Sequence, residues 1–433
     1  MLFRSVYNPS GVLQQAKQWG SPTQEVANAV YYYNNELLFA GYSYAELGSG
    51  SYGYSQDFYL ASWATGPATP SLILQNGGKS DESAFTGTMD TAGNFYVAGW
   101  TLGNLTRKSV DQWDKVYPVG KYDSFLAKFN SAGIHQWTTQ WGSTESDLTR
   151  RVQVDASGNI YVVGLSYGSM NGLTAVGLAD IYVKKFNSAG VEQWTRLIGT
   201  TADDYAYDLA VDAAGNLYLT GATGGNLNGN TSAGNMDVYV IKYNTSGTIQ
   251  WTRQFGTAQY DIANGIVLAS TGDIYATGVT CGAMSGQVQS GGCDLFITKI
   301  NSSGIIQWNR QIGTGNASTL AVGTSIVVDS ANDIVISGYS DGQFDSNSSS
   351  GSNDIILVKL DAAGNKLFSR QFGGTNDDYA LRLDLDSTDF IYLTGSTQSS
   401  LDGNPLAGEG DIFLMKVSDR KSTRLNSSHG KLS

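Results

Sequence analysis

Histidine, charge and long apolar runs are all scarce in this chain. Of its 2 histidines in 433 residues, His429 lies in a C-terminal tail. The other, His135, stands beside a turn with no Ser or Cys nucleophile pattern, so triad chemistry has little to build on. Charged residues are 15% of the chain and the net charge is −12. Phosphate binding needs a basic stripe, so nucleic acid is a poor partner. The longest basic feature in a loop is Arg107-Lys108. No stretch approaches the ~18–20 apolar residues of a membrane span. No long segment repeats its apolar residues every 3.6 positions, which excludes a helical fold.

What is present is a repeat. An Asp, alternating apolar residues and a Lys five positions on recur as Asp123 with Lys128, Asp180 with Lys185, Asp237 with Lys242, Asp294 with Lys299, Asp354 with Lys359 and Asp411 with Lys416. Successive Asp residues lie 57 apart, with one interval of 60. A degenerate copy starts at Asp57 and another survives at residues 2–6. Such a period marks an array built from one supersecondary unit. In the copy at 204–256, residues 204–212, 217–221, 237–243 and 249–255 read as strands a to d. They are rich in Val, Ile, Tyr, Phe and Thr and bounded by Gly, Asn or Asp. Tight turns join a to b and c to d, and a loop of about 15 residues joins b to c.

Four short antiparallel strands per unit, in tandem, are what a propeller blade needs. The expected fold is all-β, a seven-bladed β-propeller of four-stranded antiparallel blades with a repeat of about 57 residues. The last blade has strands a to c at 380–417 and lacks d; residues 12–19 offer a free d strand that would close the ring. One c strand, at 2–7 or 412–417, is then redundant, which points to a fragment of a longer protein. Strand d carries Trp19, Leu72, Trp137 (or Trp141), Trp194, Trp251, Trp308 and Phe368 near one position. A large flat residue there fills the wedge between neighbouring blades.

The stretch from Asp155 to Gly164, Asp-Ala-Ser-Gly-Asn-Ile-Tyr-Val-Val-Gly, resembles the SBBP-type beta-propeller repeat of bacterial surface and secreted proteins. So does Lys185 to Thr200, with Asn187-Ser-Ala-Gly190 before Trp194. The resemblance covers nearly all of residues 1–418. The b strand ending in Gly, the long loop and the turn before a Trp are also similar to the kelch layout, although the kelch double Gly is missing. The c–d turn looks a little like the sialidase Asp-box but lacks its Asp. The resemblance implies a bacterial extracellular or cell-surface protein, and it says little about activity. No signal segment precedes the first strand. The tail, residues 419–433, resembles a translated sequencing adapter and is set apart as non-native. Without it the net charge is −15. Residues 1–418 are expected to form one domain, a monomer.

Cys281 and Cys293 flank one b–c loop, whose ends meet where strands b and c pair. A disulfide there is geometrically natural and implies an oxidising compartment. Neither His nor further Cys accompanies the pair, so it is not read as a metal site.

The b–c loops (42–56, 100–122, 165–179, 222–236, 279–293, 339–353 and 396–410) share a face with the d–a connections. Variable loops on a rigid scaffold are where binding concentrates. The longest loop carries Trp100, Trp113 and Tyr117, aromatics suited to stacking on a sugar or gripping a peptide. At the d–a entry stand Asp81, Asp147, Asp204, Asp261 and Asp378, close to the Asp that opens each c strand. Such carboxylates cap turns through backbone N–H groups; a ring of them would alternatively hold Ca2+. No cofactor is otherwise expected. The acids that do not recur in every copy are Glu46, Asp111, Asp114, Asp341, Asp345, Asp402 and Glu409, all in loops. The best reading is a non-catalytic secreted or surface module that binds protein or glycan through its b–c loop face. The alternatives are a propeller glycosidase or polysaccharide lyase using channel carboxylates, and a structural repeat array of an adhesin.

Overall fold

Strands form where β-branched and aromatic residues alternate with small ones, and they end where Gly or Asn admits a left-handed turn. In blade 4 the strands are a Asp204–Val211, b Leu217–Thr223, c Asp237–Tyr243 and d Ile249–Phe255, hydrogen-bonded in that order. Gly215 at φ 80° closes the a–b turn and Gly247 at φ 74° the c–d turn. A Cβ at Gly247 would also sit 2.9 Å from Trp194 of the preceding blade, so Gly is required there twice over. Asp212 accepts hydrogen bonds from the N–H groups of Ala214 and Asn216 inside the a–b turn.

A computed structural model describes residues 12–19, 24–33, 36–44, 57–64, 71–76, 81–103, 105, 107–109, 112–113, 121–401 and 403–418. They form seven such four-stranded antiparallel sheets. The chain is a seven-bladed β-propeller, with strand a of blades 1 to 7 at Glu25–Tyr33, Glu82–Met89, Asp147–Val154, Asp204–Val211, Asp261–Leu268, Ala321–Val328 and Asp378–Leu385. Blade 7 is completed by Val12–Trp19, which pairs antiparallel with Asp411–Ser418. The N-terminal strand therefore closes the ring, and the two ends of the chain share one sheet. Residues 2–7 and 419–433 lie outside the described residues. Blade 2 adds a short hairpin, Arg107–Ser109 against Gln112–Trp113, inside its long loop.

The core lies between blades. Trp194 donates from Nε1 to the Thr245 carbonyl of the next blade at 3.3 Å. Arg196, stacked on that ring, donates from Nε to the Gly247 carbonyl at 2.8 Å. The same clamp joins Trp251 and Arg253 to Ser302 and Gly304, and Arg310, stacked on Trp308, to Gly364. The marker Lys lies over the b-strand Tyr of its own blade: Lys185 over Tyr161, Lys242 over Tyr218 and Lys299 over Tyr275. Blade 6 has Val335 in place of that Tyr, and Lys359 pairs instead with Asp329 and Asp333. Trp137 takes the wedge position in blade 2, opposite Lys128 as Trp194 is opposite Lys185. Trp141 packs against Tyr182 and Phe186 of blade 3. The expectation for Trp19 needs correcting. It falls opposite Ile412, the register of Phe255 opposite Val238, and Gln15 faces Lys416.

Candidate functional site

Two places bring chemically active side chains together: the b–c loop face and the central channel. On the loop face the b–c loops of blades 2 to 7 each drop one apolar residue back into the core. Leu105, Met170, Leu227, Met284, Phe344 and Leu401 are all buried. A strand-d Gln pins the loop. Gln254 Oε1 accepts the Leu227 N–H, while its Nε2 donates to the Gly225 carbonyl and to Asp237. Gln140, Gln311 and Gln371 repeat this staple. Blade 3 has Leu197 there. The sequence reading missed these glutamines, although their recurrence three residues after the Trp or Phe (Trp251 to Gln254, Phe368 to Gln371) marks them.

The acids at the strand entries serve the same frame. Asp237 accepts the Ala233 N–H, and Asp180, Asp294, Asp354 and Asp411 accept the N–H four residues earlier in the same way. Asp204 accepts from the Thr200 N–H and hydroxyl and from the Thr223 hydroxyl. Asp147, Asp261 and Asp378 hold equivalent places. Burial pushes the carboxyls of Asp147, Asp204, Asp261 and Asp378 above their ordinary value, against the pull of these hydrogen bonds, and the c-strand Asp beside each adds to the rise. Asp81 departs from the expected ring. The position belongs to Glu82, which accepts from the Thr101 hydroxyl, while Asp81 uses its backbone carbonyl to bind the Leu102 N–H. Glu25 fills the position in blade 1, against Ser43. Among the described residues no group of three or more His, Cys, Asp or Glu side chains converges.

Between blades 2 and 3 the face opens into a groove of about 510 Å³, lined by Trp100, Lys121, Tyr122, Glu145, Ser146, Leu148, Arg150 and Tyr167. Trp100 and Tyr122 meet edge to face with centroids 4.4 Å apart. Lys121 and Glu145 form an ion pair at its side. Arg150 lies over Phe85 at 4.8 Å, and its buried Nε has no hydrogen-bond partner. Tyr167 is 39% exposed. Of the three aromatics singled out from sequence, Trp100 lines this groove. Trp113 lies in the short hairpin, where only its backbone is described, and Tyr117 lies outside the described residues. Cys281 and Cys293 are joined by a disulfide across the ends of the blade 5 loop. His135 shares a hydrogen bond with Thr138 at 2.8 Å and packs on Phe129.

The channel is built by the innermost strands. In every strand a the pairing to strand b skips one residue, as between Thr149 and Arg151 or Ala380 and Arg382. Such a bulge re-aims the residue that follows it. That residue is Ala29, Thr86, Arg151, Asp208, Gly265, Ser325 and Arg382 in blades 1 to 7. Oxygens at this ring accept the next blade's N–H: Thr86 from Val152, Asp208 from Ile266, Ser325 from Leu383. Arg151 Nε lies 2.8 Å from Asp208 Oδ1, an ion pair in which the N–H is not aligned on the oxygen. Asp384 accepts from the N–H groups of Tyr32 and Leu385. Burial pushes its carboxyl up to about 6. Burial, with Arg151 nearby, lowers Arg382 to about 10. The expectation that non-recurring acids lie only in loops therefore fails: Asp208 and Asp384 are in strands, where they read as ordinary strand polars.

Three segments, residues 193–228, 250–282 and 367–402, match the SBBP beta-propeller repeat. Over 337 residues the chain is 24% identical to the regulatory protein FlaEY of Caulobacter vibrioides, which covers 69% of this chain and 35% of that protein. It is 25% identical over 213 residues to an uncharacterized WD repeat-containing protein of Acanthamoeba polyphaga mimivirus, covering 39% of this chain and 15% of that one. The chain thus spans about a third or less of these curated relatives. Among solved structures, YCF48 bound to D1 peptide aligns at a TM-score of 0.46 and 11% identity, over 96% of this chain and 97% of that one. A gluconolactonase of Xanthomonas campestris aligns at 0.35 and 12%, over 68% and 81%. The chain is a seven-bladed β-propeller in which three segments match the SBBP beta-propeller repeat.

Proposed function

We propose that this propeller is a non-catalytic binding module of a secreted or cell-surface bacterial protein, and that it takes a protein or glycan ligand on its b–c loop face. The observation that carries this reading is the groove of Trp100, Tyr122, Tyr167 and Arg150. It combines aromatic faces, a cation with an unpartnered buried N–H, and an ion pair at one side, the mixture that recognises a sugar or a peptide. The blade 2 loop beside it is pinned by the Gln140 staple, so less ordering accompanies binding there. The Cys281–Cys293 disulfide accords with an oxidising compartment.

A glycan and peptide array tests this, run with and without Ca2+ and scored for released sugar. Saturable binding without product, lost in Trp100→Ala, is the expected result. Binding untouched by Trp100→Ala and Tyr167→Ala would move the site elsewhere, and released product would overturn the non-catalytic reading. A glycosidase in the channel has two carboxylates to draw on, Asp208 and Asp384. Both accept backbone N–H groups and Asp208 is also paired with Arg151, which weighs against an acid–base pair.

A further inference from the structure

The channel carries more than a repeat array needs. Ring positions that only join blades are satisfied by the hydroxyls of Thr86 and Ser325. Blades 3 and 7 place arginines there instead, and blades 1 and 5 place Ala29 and Gly265. Arg151 and Arg382 line a cavity of about 270 Å³ among the inner strands. Its remaining wall is mostly aliphatic, with Val267, Ile326, Val327 and Leu383 among it.

The donors in this cavity are in surplus. The Tyr31 hydroxyl is buried without a hydrogen-bond partner, and the Arg151 Nε–H, although 2.8 Å from Asp208 Oδ1, is poorly aligned on it; both residues line the cavity. Tyr31 lines the same cavity as both guanidiniums. Arg382 spends one N–H on the Thr324 carbonyl at 3.2 Å and has no ion-pair partner among the described residues. The acceptors are already engaged: Asp208 by Arg151 and the Ile266 N–H, Asp384 by the Tyr32 N–H. A buried donor without an acceptor is costly, and a native fold keeps one beside two guanidiniums where something accepts from them. Planar guanidinium forks match carboxylate and phosphate oxygens.

We propose that the central channel is a binding site for a small oxyanion with a compact apolar body, its carboxylate or phosphate held by Arg151, Arg382 and the Tyr31 hydroxyl. Asp208 and Asp384 are positioning residues that hold the guanidiniums and the strand of blade 1 in place. The site is distinct from the loop-face groove and does not depend on it.

The test is calorimetric titration of the whole chain with benzoate, phenyl phosphate and the neutral isostere benzamide, each taken to millimolar concentration. Saturable binding of at least one anion and none of benzamide is expected, and the preferred anion identifies the headgroup. Arg382→Met should weaken binding by about 10-fold or more, the scale of one lost charge-assisted hydrogen bond. Arg382→Lys should recover part of it, and Trp100→Ala should leave it unchanged. Should Arg382→Met fail to fold, Tyr31→Phe replaces it, with a smaller loss expected. Benzamide binding as well as benzoate, anion affinity untouched by these channel variants, or absence of saturable binding would each overturn the proposal.

Discussion

Strand d and strand a of one blade obey different rules. Along strand d the same side chains return: Trp194 and Trp251 on the next blade's turn, Arg196, Arg253 and Arg310 stacked on Trp194, Trp251 and Trp308, and Gln254, Gln311 and Gln371 pinning the loops. Along strand a the residue after the bulge is different from blade to blade, running through Ala29, Thr86, Arg151, Asp208, Gly265, Ser325 and Arg382. The outer strand packs on the turn of the next blade, so one solution serves in several blades. The inner strands meet one another on the axis, where seven copies of one charge would repel and seven large side chains would not fit. The repeat is relaxed there, and the asymmetry that results is the raw material of a site.

Removing strand d from one blade should break that contrast most severely. Deleting residues 1–19 leaves Asp411–Ser418 as an unpaired edge, and open edges pair with other chains. Loss of a single cooperative unfolding transition, with aggregation on light scattering, is expected; an unchanged transition would show that another strand closes the ring.

Next comes the wedge. Trp251→Ala removes a ring that donates to Ser302 and carries Arg253. It should lower stability by about 3 kcal/mol in urea titration, given the range for large aromatic truncations. A loss no larger than that of an exposed substitution would mean the wedge relaxes around the gap.

The inner ring should show itself through pH. Asp384 rises from an ordinary 3.8 to about 6 because it is buried. Between those values the folded carboxyl keeps a proton that the unfolded one has lost. The stability it contributes is therefore full below about 3.8 and falls away as pH climbs to about 6, by at most about 3 kcal/mol. The raised carboxyls of Asp147, Asp204, Asp261 and Asp378 act in the same direction. Urea midpoints should be higher at pH 5 than at pH 8, and Asp384→Asn should flatten the difference. A midpoint that rises with pH over this window would contradict the burial argument.

The blade 5 loop offers a smaller effect. Breaking the Cys281–Cys293 bridge with Cys281→Ser frees a 12-residue separation and should cost about 2.8 kcal/mol by the loop-entropy argument. The same change should follow from reduction of the wild-type chain, read as a shift in Tm. The smallest effect belongs to the marker Lys. Lys242→Met keeps the stem and loses the charge over Tyr218, worth about 0.5–1 kcal/mol. In a double-mutant cycle the loss should vanish when Tyr218 is already Leu.

Much of the frame was legible in the residues. The Asp-to-Lys marker, the Gly turns and the d-strand Trp announce four-stranded blades, and counting strands places 12–19 in blade 7, where it pairs with Asp411–Ser418. Less of the sites was legible. Trp100 was singled out, but its partners Tyr122, Arg150 and Tyr167 come from two blades and only the fold makes them neighbours. Asp81 looks like a ring member because it is an Asp at nearly the right spacing, while Glu82 does the work one residue later. The channel charges were passed over because Arg151, Asp208, Arg382 and Asp384 look like the outward half of an alternating strand.

Local chemistry determined what recurs. Turn glycines, alternating strands and a Trp on its neighbour's turn depend on contacts within one repeat or between adjacent ones, so the sequence alone specifies blade, order and closure. The tertiary structure decided what converges. Arg151 and Arg382 are 231 residues apart in number and come within electrostatic reach only because seven inner strands turn the residues after their bulges to a common axis. Nothing in the period of a repeat states which of its copies will face each other across that axis.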